Sequence, residues 1–159
     1  MRTNSSFHLS ESHLLTKAFQ ENRSLVVLIS YDGKRYVRIR KVTQYNLLIQ
    51  DELPISKLEV VMAYASEDQT RIKPDHLLDN QVKALNQKPI KKIRDRRIVN
   101  MVVAVGDPVR IVLRTGDVVT GFCKAVSRYN ILLDVRGASV LIYKHGIHEL
   151  KNYRTPPSS

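Results

Sequence analysis

The chain contains no tryptophan, a single cysteine, and only 15 acidic residues against 26 lysines and arginines in 159 positions. Cys123 alone can form no internal disulfide, which excludes a disulfide-held scaffold and fits a reducing compartment. In its strand context it reads as a half-buried packing residue. No apolar run is long enough to cross a membrane as a helix, and the polar stretch Met1 to Ser12 has no signal-peptide pattern, so a soluble, cytoplasmic protein is expected. Catalytic signatures are missing too. There is no nucleophile motif and no glycine-rich phosphate loop, and the carboxylates are scattered as a solubilising surface would have them. His145 and His148 are spaced as metal ligands sometimes are, but Glu149 alone does not complete a zinc site. No enzyme, cofactor or metal is expected.

What is abundant is positive charge, and it is unevenly placed. Residues 1–79 hold 11 Lys and Arg against 10 Asp and Glu, whereas residues 80–159 hold 15 against 5. A concentrated positive field attracts polyanions through counterion release, and nucleic acid is the commonest of these. A ribosomal surface or an acidic protein would serve equally. The densest run, Lys91, Lys92, Arg94, Arg96 and Arg97, reads evenly as a solvated connector and as an auxiliary basic path.

Ser10 can cap a short helix with the apolar stripe Leu14, Leu15, Ala18 and Phe19. Strands are predicted over 25–30 and 35–42, joined through the Asp32-Gly33 hairpin signal, and then over 45–50 and 58–65. After Pro74, the spacing of Leu77, Leu78, Val82 and Leu85 predicts a helix over 75–87, which Pro89 ends. The β pattern returns at 109–114, turns at Thr115-Gly116-Asp117, and continues over 118–126, 129–135 and 140–143.

The two halves repeat each other. Val42-Thr-Gln-Tyr-Asn-Leu-Leu-Ile recurs as Val126-Ser-Arg-Tyr-Asn-Ile-Leu-Leu, each copy after a hairpin glycine, Gly33 or Gly116. His-Leu-Leu precedes both, at His13 and His76. A duplicated helix-plus-β unit explains this most economically. It divides the chain into a first unit at 1–73, a helix and basic connector at 74–106, a second unit at 107–151 and a flexible tail at 152–159.

Gly106-Asp-Pro-Val-Arg-Ile-Val-Leu-Arg-Thr-Gly, then Gly121, then Tyr129-Asn-Ile-Leu-Leu, then Tyr143-Lys-His-Gly-Ile resembles, in order and spacing, the Sm motifs of the bacterial Hfq/Sm-like (LSm) family. The resemblance covers roughly forty-five residues of the second half. The first half departs from it, with Arg38 near the place of a strand-bending glycine and Met62-Ala63-Tyr64-Ala65 where Tyr-Lys-His would fall, and reads as a degenerate copy. The resemblance implies a mainly β fold: two strongly bent, SH3-like five-stranded antiparallel barrels, each preceded by a short α-helix. It also implies units joined edge to edge in a ring whose inner rim holds uridine-rich single-stranded RNA. Family rings have six units, so a homo-oligomer of three such chains would close one.

RNA of this kind is held by aromatic faces, cations and base-edge hydrogen bonds. By resemblance Tyr129 stacks on a base, Lys144 and His145 contact the nucleotide, and Asn130 faces the rim, while Tyr143 supports the rim turn. Arg128 stands where the family usually has glutamine, exchanging an amide for a cation, and Ser127 replaces a usual aspartate. Gln44 and Tyr45 match the family's pair in the first half, without Lys-His partners. Val112 and Ile29 occupy the place of the aromatic in the family's adenine-rich site, which is expected to be weak or lost. The expected role is an RNA-binding post-transcriptional regulator or RNA chaperone. The rival is a diverged Sm-ring scaffold that binds a protein partner.

Overall fold

The computed structural model describes residues 25–73, 75–76 and 103–153. Among these residues the chain is mainly β, with one single-turn helix. The first half contributes β1 (Val26–Ser30), β2 (Gly33–Val37), β3 (Ile39–Val42), β4 (Asn46–Ile49), β5 (Ile55–Ser56) and β6 (Val60–Ala65), followed by α1 (Gln69–Ile72) and β7 (Asp75–His76). The second half contributes β8 (Pro108–Leu113), β9 (Asp117–Val126), β10 (Asn130–Val135), β11 (Ala138–Tyr143) and β12 (Ile147–Asn152). All pairings are antiparallel.

The order of strands repeats. The second half runs β12-β8-β9-β10-β11, and the first runs β6-β1-β2, continuing as β3-β4-β5 in a small sheet of its own. If β2 and β3 are parts of one bent strand, each half places its five strands in the order last, first, second, third, fourth. The break between β2 and β3 has a steric reason. A Cβ on Gly121 would lie 2.5 Å from the Asp134 carbonyl oxygen of β10, so only glycine lets β9 run unbroken past that point. Val37, which pairs with Val26 as Gly121 pairs with Val109, occupies the matching place in the first half, and β2 ends there, at the residue before Arg38.

The halves are joined at a strand edge. β11 pairs with β6 through Val140↔Tyr64, Leu141↔Ala63 and Ile142↔Met62, so both halves share one open sheet that does not close on itself. Alternate residues on the strands at this joint face opposite ways. Val27, Met62, Tyr64, Leu133, Val140 and Ile142 belong to one core, whereas Leu28, Ala63, Leu132, Leu141 and Tyr143 belong to another, with Leu47, Ile49 and Ile55. Burial on both faces explains why Val26–Ile29, Val60–Ala65 and Val140–Ile142 are unbroken apolar runs without polar alternation. Asp107 ties the entry to the second half. Its carboxylate accepts from the Ala104 amide at 2.8 Å and from the Asn152 side chain at 2.7 Å.

Several expectations need correction. Asp75 and His76 do not begin a helix; they pair as a strand with Val118 and Asp117 of β9, because the hairpin leaves that edge open to them. The remainder of that predicted helix, the helix near Ser10 and the basic run from Lys91 to Arg97 lie outside the described residues. β12 extends through Asn152, and the Tyr153 amide donates to the Pro108 carbonyl at 2.8 Å, so the tail begins later than residue 152.

Candidate nucleic-acid interface

The repeated Tyr-Asn segments form the same loop twice. In the second half the Ser127 amide donates to the Asn130 carbonyl at 2.9 Å, and the Asn130 amide donates to Ser127 Oγ at 3.0 Å. In the first half Thr43 and Asn46 make the same two bonds, at 2.9 Å and 3.0 Å. A hydroxyl thus closes the loop in both copies, a role that Ser and Thr readily take in short turns. These closures present Arg128-Tyr129 and Gln44-Tyr45 at the loop tips.

Each tip is tied to a lysine turn. The Lys144 amide donates to the Tyr129 carbonyl at 2.8 Å, and the Lys57 amide donates to the Tyr45 carbonyl at 3.0 Å. Both lysines open 3₁₀ turns that lead into the last strand of their half, Lys144–Gly146 before β12 and Lys57–Glu59 before β6. The first half therefore has a lysine equivalent to Lys144, and the expected match at Met62–Ala65 is incorrect: those residues are the strand that receives β11. A shorter third-to-fourth strand segment moved the turn towards the N-terminus. The available signal was Lys57 three residues ahead of the apolar strand Val60–Ala65. Leu58 and Glu59 stand where the second half has His145 and Gly146.

The two turns abut. His145 is 0% exposed, and its Nε2 donates to the Val60 carbonyl at 2.8 Å. A carbonyl can only accept, so Nε2 carries the proton and the bare Nδ1, which has no partner, leaves the ring neutral. Burial pushes its pKa down to about 4, outweighing the opposite effect of hydrogen bonding to the backbone at Val60 and Lys57. The Tyr143 ring lies 5.5 Å from it, centroid to centroid. A Cβ on Gly146 would overlap the Val61 side chain and come within 2.9 Å of its Cα, so glycine is what lets this turn seat on β6.

The expected contact residues therefore separate into two groups. Tyr45, 62% exposed, Gln44 and Arg128 are at the surface and Tyr129 is half-buried, with the Arg128 guanidinium over the Tyr129 ring at 5.4 Å. Asn130, Tyr143, Lys144 and His145 are buried. A residue with no exposed surface does not meet a base here, which corrects the expected rim contacts of His145 and Asn130. His145 instead holds the two halves together, and Asn130 closes its loop through its backbone. Lys144 is 3% exposed, and burial lowers the pKa of its ammonium, with Cys123 opposing. Cys123 is itself raised to about 11, by burial first and by Asp107 second, and is a neutral thiol. The Lys57 ammonium donates to the Gln44 carbonyl at 2.9 Å. Val112 and Ile29 are both buried.

No family model, curated protein or solved structure matches the chain.

Proposed function

We propose that this chain is a tandem Sm-like protein related to Hfq that binds uridine-rich single-stranded RNA on a ring-shaped assembly. In this reading its halves are two strongly bent five-stranded units, each following a short helix. The observation that carries it is the pair of equivalent tyrosine loops, each bonded to a lysine turn and held side by side through His145 and Val60. Exposed Tyr45, and Tyr129 with Arg128 over its ring, supply the stacking faces and a cation that such RNA needs.

Assembly follows the same logic. The joint within the chain pairs the fourth strand of the second half with the last strand of the first. With β2 and β3 taken as one bent strand, the ends left over are β5 and β12. Repeating the joint between chains pairs β5 of one with β12 of the next, and three chains close six units. Glu59 stands at the place of Gly146, so the joint between chains sits wider and is the weaker of the two kinds. Light scattering tests this. A mass near three chains that falls on dilution supports it, and a monomer at every concentration removes the shared rim.

The burial of Lys144, Lys57 and His145 favours one alternative, a ring that serves as a scaffold for a protein partner. Salt-dependent binding of oligouridine that is lost in Tyr129→Ala and Tyr45→Ala separates the two. A scaffold is indifferent to both changes.

A further inference from the structure

The strand leading from the first hairpin to the Gln44-Tyr45 loop is far more cationic than the fold requires. Along β2 and β3, Lys34, Arg35, Arg38, Arg40 and Lys41 are all exposed, with Tyr36 47% exposed among them. The matching strand, β9, carries only Lys124, which donates to Ser139 Oγ at 2.7 Å. β9 makes the corresponding pairings with β8 and β10 without the other charges, so strand formation does not account for them.

Arg35 is paired with Glu52 at 2.9 Å. Lys34, Arg40 and Lys41 have no acidic partner among the described residues. Lys34 lies opposite Ile29 and Tyr36 opposite Val27, so the cation and the ring share one face of β2. Asp32 stands at one end of the run, and Asp51 and Glu52 lie beside its middle, where Glu52 pairs with Arg35; five cations against these three carboxylates leave it net positive. At about 3.3 Å per residue, Lys34 to Lys41 spans about 23 Å of chain, ending beside the Tyr45 loop.

We infer that the edge formed by β2 and β3 is a phosphate-binding track for single-stranded RNA, continuous with the Gln44-Tyr45 loop, on which Tyr36 offers a face to a base. The track rests on the RNA-binding reading above. Charge on a strand edge also discourages pairing with other strands, and that role alone leaves RNA affinity unchanged when the charge is removed.

The test compares the full chain with the triple variant Lys34→Gln, Arg40→Gln, Lys41→Gln, using labelled uridine oligomers of about 6 and about 24 nucleotides over a range of salt. The variant is expected to bind the long oligomer about tenfold more weakly, with a salt slope shallower by about 2, since each phosphate contact on a single strand contributes about 0.7. Its affinity for the short oligomer stays as it was. Unchanged long-oligomer affinity and slope overturn the track, and if Tyr129→Ala still weakens both oligomers the rim reading survives. If the triple variant weakens binding while Tyr129→Ala and Tyr45→Ala do not, the track stands and the rim reading falls. Should the unaltered chain bind neither oligomer, both fall together.

Discussion

His145 donates its Nε2 proton to the carbonyl of Val60, 85 residues earlier, at 2.8 Å. Together with the β11–β6 ladder and the Arg114 guanidinium over the Tyr31 ring, this bond links the two halves. Replacing His145 by alanine removes a buried donor, leaves the Val60 carbonyl without it, and opens a cavity. His145→Ala is expected to cost about 2–4 kcal/mol in denaturant unfolding. His145→Leu, which copies Leu58 of the first half, keeps the volume and is expected to cost less. Equal losses would assign the cost to the lost hydrogen bond rather than to the cavity.

The same imidazole makes stability depend on pH. Its pKa is about 4 in the folded protein and 6.5 ordinarily, so between those values the unfolded chain binds a proton that the folded one excludes. The contribution of His145 is complete above about pH 6.5 and is lost as pH falls towards about 4, amounting to about 3 kcal/mol at the acid end. Thermal melts between these limits should show this decline, and His145→Leu should flatten it. A variant with the slope of the parent would assign the effect elsewhere.

Gly121 and Gly146 leave no room for a side chain. Gly121→Ala drives a methyl group against the Asp134 carbonyl, which is backbone and cannot swing away. A loss of roughly 2–4 kcal/mol is expected for each alanine variant. Gly146→Ala should in addition loosen the joint, read as faster hydrogen exchange at the amides of β6 and β11. Near-neutral melts for Gly121→Ala would refute the close approach.

Cys123 is buried and its thiol is raised to about 11. The thiolate is the reactive form, so a disulfide reagent at about pH 8 should label the folded protein slowly and the denatured protein at once. Rapid labelling of the native chain would place the thiol in solvent.

Much of the fold was legible because its signals are local. Hairpin turns at Asp32-Gly33 and Thr115-Gly116-Asp117, together with β-rich runs, marked eight strands near their observed positions, and the Tyr-Asn repeat marked the duplicated loop. β5 was missed because two residues carry no period, and β12 because His148, Glu149 and Lys151 look like surface on both sides. Asp75–His76 followed a tertiary opportunity, an open edge of β9, over its own helical pattern. At the site, the tyrosines were legible from the repeat. The role of His145 was not, because its partner is a backbone carbonyl in the other half and no side-chain pattern announces it. Lys57 was hidden by a difference in loop length.

The covalent link between the halves has a kinetic consequence. Because β11 meets β6 within one molecule, that contact forms at an effective concentration fixed by the connector rather than by abundance, and dilution does not undo it. A ring built from three such chains needs two encounters between molecules where six single units need five, and every intermediate contains an even number of units. Such a chain would reach its closed form at expression levels at which separate units remain scattered.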